Sequence, residues 1–268
     1  MPKFLFWNLG GSPRTDIVRH LVVENGIDVV MLAECGSQPA DMLVVLNQER
    51  SNFQYAPGLC DRIMFFTAFD SSFVQPLYEN SRVSIRRLTL PARQPILLAS
   101  AHLPSKLHFS DASQPYECVA LADEIARLEQ NEGHRRTLLM GDLNVNPFED
   151  GIVAARGLNA VMSRRIALRN SRTVQGRSYP FFYNPMWNHF GDDEKPGGTF
   201  YYEKAEHVVY YWNLFDQALI RPDLVQTFNQ NQVQILTVAG GNSLIDENGR
   251  PDPEVGSDHL PIAVELNF

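Results

Sequence analysis

The chain has 268 residues, 44% of them hydrophobic, and a formal net charge of −8. That length and apolar content can bury a large core, as one large domain or two small ones. Composition excludes two classes: no apolar run is long enough to cross a membrane, and three cysteines at unrelated spacings, Cys35, Cys60 and Cys118, form neither a disulfide framework nor a zinc-ligand pattern.

A reducing compartment, the cytoplasm, is the expectation that follows. No signal peptide is expected either, because the first apolar run, 4–9, is short and already carries Asn8. No Pro/Ser-rich linker or internal repeat divides the chain, so one domain over 1–268 is expected.

Taken in order, residues 4–7 read as a buried strand ending at Asn8, followed by a Gly10-Gly11-Ser12-Pro13 turn. Thr15 is placed to cap a helix whose Ile17, Val18, Leu21 and Val22 share one face, and Asn25-Gly26 to stop it. A strand over 27–32 completes a β-α-β unit and carries Glu34 just past its end. Beside it, Cys35 reads as a small buried residue rather than a reactive thiol. A helix over 39–48 and a strand over 62–69 follow, and a strand over 96–101 ends at His102. Residues 113–130 form an amphipathic helix, with Val119, Ala122, Ile125 and Ala126 inward and Glu117, Glu124, Arg127 and Glu129 outward, ended by Gly133.

The apolar run 137–140 stops at Gly141 and delivers Asp142, Asn144 and Asn146 to a strand end, where a rigid scaffold presents catalytic groups. An Asx-type turn alone would also explain these residues. Four other polar clusters end apolar runs in the same way: Trp7-Asn8, Ala33-Glu34, Ala101-His102 and Ser257-Asp258-His259. Together they supply the residue types that metal-assisted phosphate chemistry uses. Downstream, Asp216 sits inside an apolar strand over 214–220, where an unpaired carboxylate is costly to bury, so a cation or donor is expected beside it. A strand over 233–238, a polar loop over 242–254 and a final strand over 262–266 close the chain.

Charge is segregated. The windows 81–110 and 151–191 contain no Asp or Glu; the first holds Arg82, Arg86, Arg87, Arg93 and Lys106, the second Arg156, Arg164, Arg165, Arg169, Arg172 and Arg177, after which Asp192-Asp193-Glu194 reverses the sign. Scattered arginines are ordinarily a solvated face. In an acidic chain this segregation is also what a polyanion-binding cleft requires, so Arg82, with Arg164, Arg165, Arg169 and Arg172, becomes the candidate substrate-binding set. Nearly half of the aromatic residues fall between Tyr179 and Phe215. Most are expected to pack in the core, the remainder to line a wall on which bases stack, Trp187 among them.

In this order, "WNLGG", "MLAECG", "SAHLPS", "GDLNVNP", "LFDQAL" and "GSDHLP" resemble the motifs of the endonuclease/exonuclease/phosphatase superfamily, over residues 4–266. The resemblance implies a deoxyribonuclease I-like α/β fold: two packed, mostly antiparallel sheets flanked by helices in a four-layer α-β-β-α sandwich. It implies Glu34 as ligand of a catalytic Mg²⁺ or Mn²⁺, with Asn8 beside it and Asp258 as a further candidate. It implies His102 on the phosphate or leaving-group side, with Asp61 as candidate orienting carboxylate, and His259 oriented by Asp216. Asp142 would orient and deprotonate the attacking water, and Asn144 would position that water or a phosphate oxygen. The favoured activity is a metal-dependent nuclease on DNA or RNA. The alternatives are a hydrolase of a small phosphorylated ligand, such as an inositol phosphate or nucleotide, and a binding protein that has lost catalysis. No membrane partner is expected.

Overall fold

The computed structural model describes residues 1–48, 52–105, 113–191 and 196–268; Lys106 and the acidic run Asp192-Asp193-Glu194 lie outside them. Two large mixed sheets dominate. One has six strands, in the order Val233–Ile235, Ile262–Glu265, Lys3–Asn8, Val29–Ala33, Ile63–Thr67 and Gln54–Tyr55. The other has seven: Val74–Glu79, Val83–Leu88, Ile96–His102, Thr137–Asp142, Asp216–Ile220, Phe182–Tyr183 and Ala160–Val161. Most neighbours are antiparallel; the parallel pairs are Lys3–Asn8 with Val29–Ala33, Ile96–His102 with Thr137–Asp142, and Ala160–Val161 with Phe182–Tyr183.

The layering follows from the two-residue period of the strands. Phe4 and Phe6, Met31, Leu138 and Met140 point into a core shared by both sheets, while Leu5 and Trp7, Val30 and Leu32, and Leu139 point outward. The outward set of the first sheet is covered by helices Thr15–Asn25 and Pro39–Leu46, through Val18, Leu21, Val22, Met42 and Leu46. The outward set of the second is covered by helix Gln114–Glu132, through Cys118, Leu121 and Ile125. Central strands are therefore apolar on both faces, which is why they read as uninterrupted runs. The result is the expected four-layer sandwich. No helix among the described residues is long and apolar enough to cross a membrane.

Two local expectations need correcting. Thr15 does not cap its helix: Arg14 occupies the cap position and makes no side-chain cap bond, whereas Gly26, at φ 64°, does end it. On helix Gln114–Glu132 the inward face is rotated. Glu129 is buried, accepting from Thr137 Oγ1 at 2.6 Å and from Arg221 Nε at 2.8 Å, while Ala126 is exposed. A buried charge is tolerated there because its counter-charge is buried with it.

Candidate active site

Strand register builds the site. His102 lies directly beside Asp142 in the parallel pair, and Asp142 lies directly opposite Asp216 in the antiparallel one, so three adjacent strands end at one level in three polar residues. Gly141 permits this spacing, because a Cβ there would collide with the Ala101 carbonyl. The other sheet contributes Asn8, paired with Ala33 and so adjacent to Glu34. The segment leading into the last strand brings His259, whose carbonyl accepts from Trp7 Nε1 at 2.8 Å.

Asp142 is the hub. It is 1% exposed. Asn8 Nδ2 donates to its Oδ2 at 2.9 Å, and the Asn144 backbone N–H donates to its Oδ1 at 3.0 Å. His102 Nε2 and His259 Nε2 stand 3.6 and 3.9 Å from Oδ2. Asn144 holds a left-handed φ of 52°, which an asparagine tolerates, and its Nδ2 donates to Leu103 O at 2.9 Å, so the turn after the strand is fixed at both ends. Behind the site, His259 Nδ1 meets Asp216 Oδ2 at 2.8 Å, and the Asp216 N–H donates to Thr199 Oγ1. The Phe200 ring lies 4.7 Å from the imidazole and stacks on Phe215.

The electrostatics divide the two histidines. Burial pushes the Asp142 carboxyl above the usual range, against the pull of His259. Burial also disfavours a charged His259, but the carboxylates of Asp216 and Asp142 outweigh it and push its pKa up to about 10. His102 moves the other way: burial, with Arg62, His259 and Arg82 nearby, lowers its pKa despite Asp142. At neutral pH the buried carboxylate is thus flanked by one imidazolium and one neutral imidazole.

Two donor sets bear on a cation. Ligand atoms of Asp142, Asp216 and His259 lie within 4.8 Å of one another, close enough for a metal to use. In that set, however, His259 is engaged with Asp216, and a protonated ring offers no lone pair. Glu34 is different. At φ 46° it turns a half-exposed carboxylate into the cleft, with no side-chain partner among the described residues closer than Arg62 at 3.5 Å and His102 at 3.7 Å. Asn8 and the exposed Asp258 line the same cleft. An all-oxygen set of this kind fits a hard divalent cation.

The cleft has a volume of about 1300 Å³. Of the sequence-predicted residues it is lined by Asn8, Glu34, Arg82, His102, Asp142, Asn144, Asp258 and His259, with Asp216 directly behind. Arg164, Arg165, Arg169, Arg172 and Trp187 do not line it. Arg164 is spent on the Val225 and Gln226 carbonyls, and Arg172 on that of Val153. Trp187 packs behind Phe148, a wall residue, at 6.3 Å between centroids. Arg86 is buried against Glu79, and Asp61 is exposed with no bond to His102, whose Nδ1 has no partner among the described residues. Sequence reasoning missed Arg62, which neighbours Glu34 because its strand pairs with Val29–Ala33, and Phe148, which joins Phe200, Tyr202 and Tyr210 of the aromatic stretch in lining a wall of the cleft.

The comparisons with known proteins bear on the fold and the family. The model of the Endonuclease/Exonuclease/phosphatase family matches residues 5–259. Similar solved structures include a humanized D. rerio TDP2 carrying 14 mutations, at 17% identity and TM-score 0.57, covering 100% of this chain and 99% of that one. An endonuclease/exonuclease/phosphatase family protein from Bacteroides thetaiotaomicron matches at 13% identity and TM-score 0.62, with 99% and 97% covered. The endonuclease domain of TRAS1, a telomere-specific non-LTR retrotransposon, matches at 12% identity and TM-score 0.53, with 100% and 99% covered. These likenesses show a shared fold. No curated protein matches the chain.

Proposed function

The chain belongs to the endonuclease/exonuclease/phosphatase family, a phosphodiesterase-type hydrolase by that membership, and we propose that it is a divalent-metal-dependent nuclease cleaving DNA or RNA in the cleft between its sheets. The observation that carries the reading is Asp142: a buried carboxylate held by two hydrogen bonds between a charged and a neutral imidazole, beside a half-exposed Glu34. A phosphodiester is an anion that repels nucleophiles, so its hydrolysis needs a base, a cation and donors for the developing charge.

The roles follow from the contacts. Asp142, its pKa raised by burial, takes the proton of the attacking water. Asn144 fixes the turn beside it and lines the water's approach. His259, held charged by Asp216, stabilises negative charge in the transition state. His102, with Arg62 and Arg82, meets the phosphate on the leaving side. Glu34, with Asn8 and Asp258, would hold Mg²⁺ or Mn²⁺, which supplies Lewis-acid polarisation of a phosphoryl oxygen when bound. The 268 residues act as one catalytic unit in this reading, supported by Asn8 and His259 meeting the same Asp142 from opposite ends of the sequence.

Cleft size supports a polymeric substrate, since about 1300 Å³ exceeds what a lone phosphate group fills. The second reading, a small phosphate ester, is favoured by the carboxylates of Glu149, Asp150 and Glu206 on the far lining, which repel a long polyanion. Incubation with Mg²⁺ or Mn²⁺ and a panel of single- and double-stranded DNA, RNA and small esters tests the choice. Nucleic-acid cleavage is expected; turnover confined to small esters would replace the first reading by the second.

A further inference from the structure

Five arginines of the acid-free window 151–191 lie outside the cleft: Arg172 and Arg177 on one element, Arg165 and Arg169 just before it, and Arg156 nearer the start of the window. That element is a hairpin, Ser171–Val174 paired with Arg177–Pro180, which forms a two-stranded sheet of its own. Residues 172–178 are all exposed. Such a ribbon has no face to bury and would be marginal alone in water. Its base is clamped instead. Asn159 Nδ2 donates to the Tyr179 and Pro180 carbonyls at 3.0 and 3.1 Å, and buried Arg221 donates to those of Pro180 and Phe181 at 3.0 Å each. At the tip, Gln175 and Gly176 have φ 48° and 75°, both positive as a two-residue type I′ turn requires.

The hairpin is therefore a rigid projection held out for its surface, and that surface is basic. Register places Arg172, Val174, Arg177 and Tyr179 on one face. Arg169 adjoins the first strand, and Arg165 sits on the short helix Arg164–Ala167 leading into it. Arg156, Arg165, Arg169 and Arg177 are exposed, and none forms an ion pair among the described residues. Its position relative to the cleft is also fixed. Asp150 and Gly151 line the cleft, and Arg172 Nη2 bonds at 2.7 Å to the carbonyl of Val153, the last residue of the helix that Asp150 begins. Four helical residues rise only about 5 Å.

We propose that this hairpin and its flanking arginines are an accessory nucleic-acid contact, gripping phosphates of the substrate beyond the segment that enters the cleft. The inference rests on the nucleic-acid reading of the cleft. A duplex carries one negative charge about every 1.7 Å of its axis, so a substrate passing over Asp150–Val153 brings further phosphates to the hairpin. Charge complementarity selects the partner, because the protein as a whole is acidic while the window that carries this hairpin holds six arginines and no Asp or Glu.

The test compares binding of a long duplex and of an oligonucleotide of a few nucleotides across a salt series. Asp142→Asn serves as background so that neither is cleaved, with and without Arg165→Glu/Arg169→Glu/Arg177→Glu. Loss of three phosphate contacts should weaken the long duplex by about ten-fold or more, and flatten the slope of log K against log[salt] by about 2 to 3. The short oligonucleotide should shift less than about two-fold. Arg177→Gln alone, at the exposed tip, should flatten the slope by about 1 and provides the readout if the triple variant misfolds. Unchanged affinity and slope for the long duplex would overturn the proposal, and so would equal loss on both ligands. If the parent binds neither ligand yet hydrolyses a small ester, the nucleic-acid reading of the cleft has failed and this proposal falls with it.

Discussion

Asp142→Asn separates catalysis from stability in this site. The substitution keeps shape and removes charge. On the catalytic side it deletes the base, worth on the order of 10² to 10⁴ in rate, or about 3 to 5 kcal/mol of transition-state stabilisation. On the folding side two effects oppose. Burial disfavours the ionised carboxylate, as its raised pKa records, so removing the charge relieves that cost. Against this, the new amide can accept from only one of the two donors, Asn8 Nδ2 and the Asn144 N–H, leaving a donor facing a donor at about 1 to 3 kcal/mol. The balance should lie within about 2 kcal/mol, which moves the unfolding midpoint of a chain this size by roughly 4 to 8 °C at most. Steady-state hydrolysis of duplex DNA or a chromogenic phosphodiester, beside a calorimetric scan, measures both. Near-normal turnover would refute Asp142 as base, and collapse of the midpoint would show a group held for folding rather than chemistry.

Excess chelator should abolish hydrolysis, and Mg²⁺ or Mn²⁺ should restore it; undiminished turnover would remove the Glu34 donor set from the mechanism. Arg62→Ala and Arg82→Ala should each raise KM by about ten-fold with a smaller change in kcat, since a charged hydrogen bond to phosphate contributes about 1.5 to 3 kcal/mol; a loss confined to kcat would argue against phosphate binding. Glu129→Ala strands Arg221, which is buried with the Phe182 ring 3.8 Å from its guanidinium. That should cost about 3 to 5 kcal/mol, lowering the midpoint by roughly 6 to 20 °C, and an unchanged midpoint would mean the pair contributes nothing net. Burial raises the thiol pKa values of Cys35 and Cys60 and pushes Cys118 up to about 12, so all three stay protonated at pH 8 and should label slowly until the chain is denatured. Rapid stoichiometric labelling of the native protein would contradict that.

The strands were legible because the core is layered. Residues 4–7, 96–101 and 137–140 face apolar neighbours on both sides, and no amphipathic helix produces such an uninterrupted run. Their order was not. Lys3–Asn8 sits between Ile262–Glu265 and Val29–Ala33, a neighbour relation between the two ends of the chain that no local pattern encodes. The helix face failed at Glu129 for a related reason. Periodicity assigns a glutamate to solvent unless a counter-charge is in view, and Arg221 lies 92 residues away in sequence.

Charge patterning has the same blind spot. An acid-free window predicts that its arginines find no carboxylate nearby in sequence, whereas the fold supplies one from elsewhere. Arg86 meets Glu79 from just outside its window, and Arg87 meets Glu132 on the covering helix, so only Arg82 of the three reaches the cleft. The arginines of the second window escape this neutralisation among the described residues and yet miss the cleft: Arg172 and Arg177 lie on a hairpin that belongs to neither large sheet, and Arg164 is turned to the Val225 carbonyl. Asp61 and Arg62 make the point at the scale of one bond. Arg62 opens the strand expected over 62–69 and Asp61 just precedes it, and only register decides between them: the strand Ile63–Thr67 pairs with Val29–Ala33, setting Arg62 3.5 Å from Glu34 and leaving Asp61 exposed. A catalytic residue at a strand end can be read from the strand itself, but the residue that flanks it is chosen by the neighbouring strand, and that neighbour is a property of the sheet.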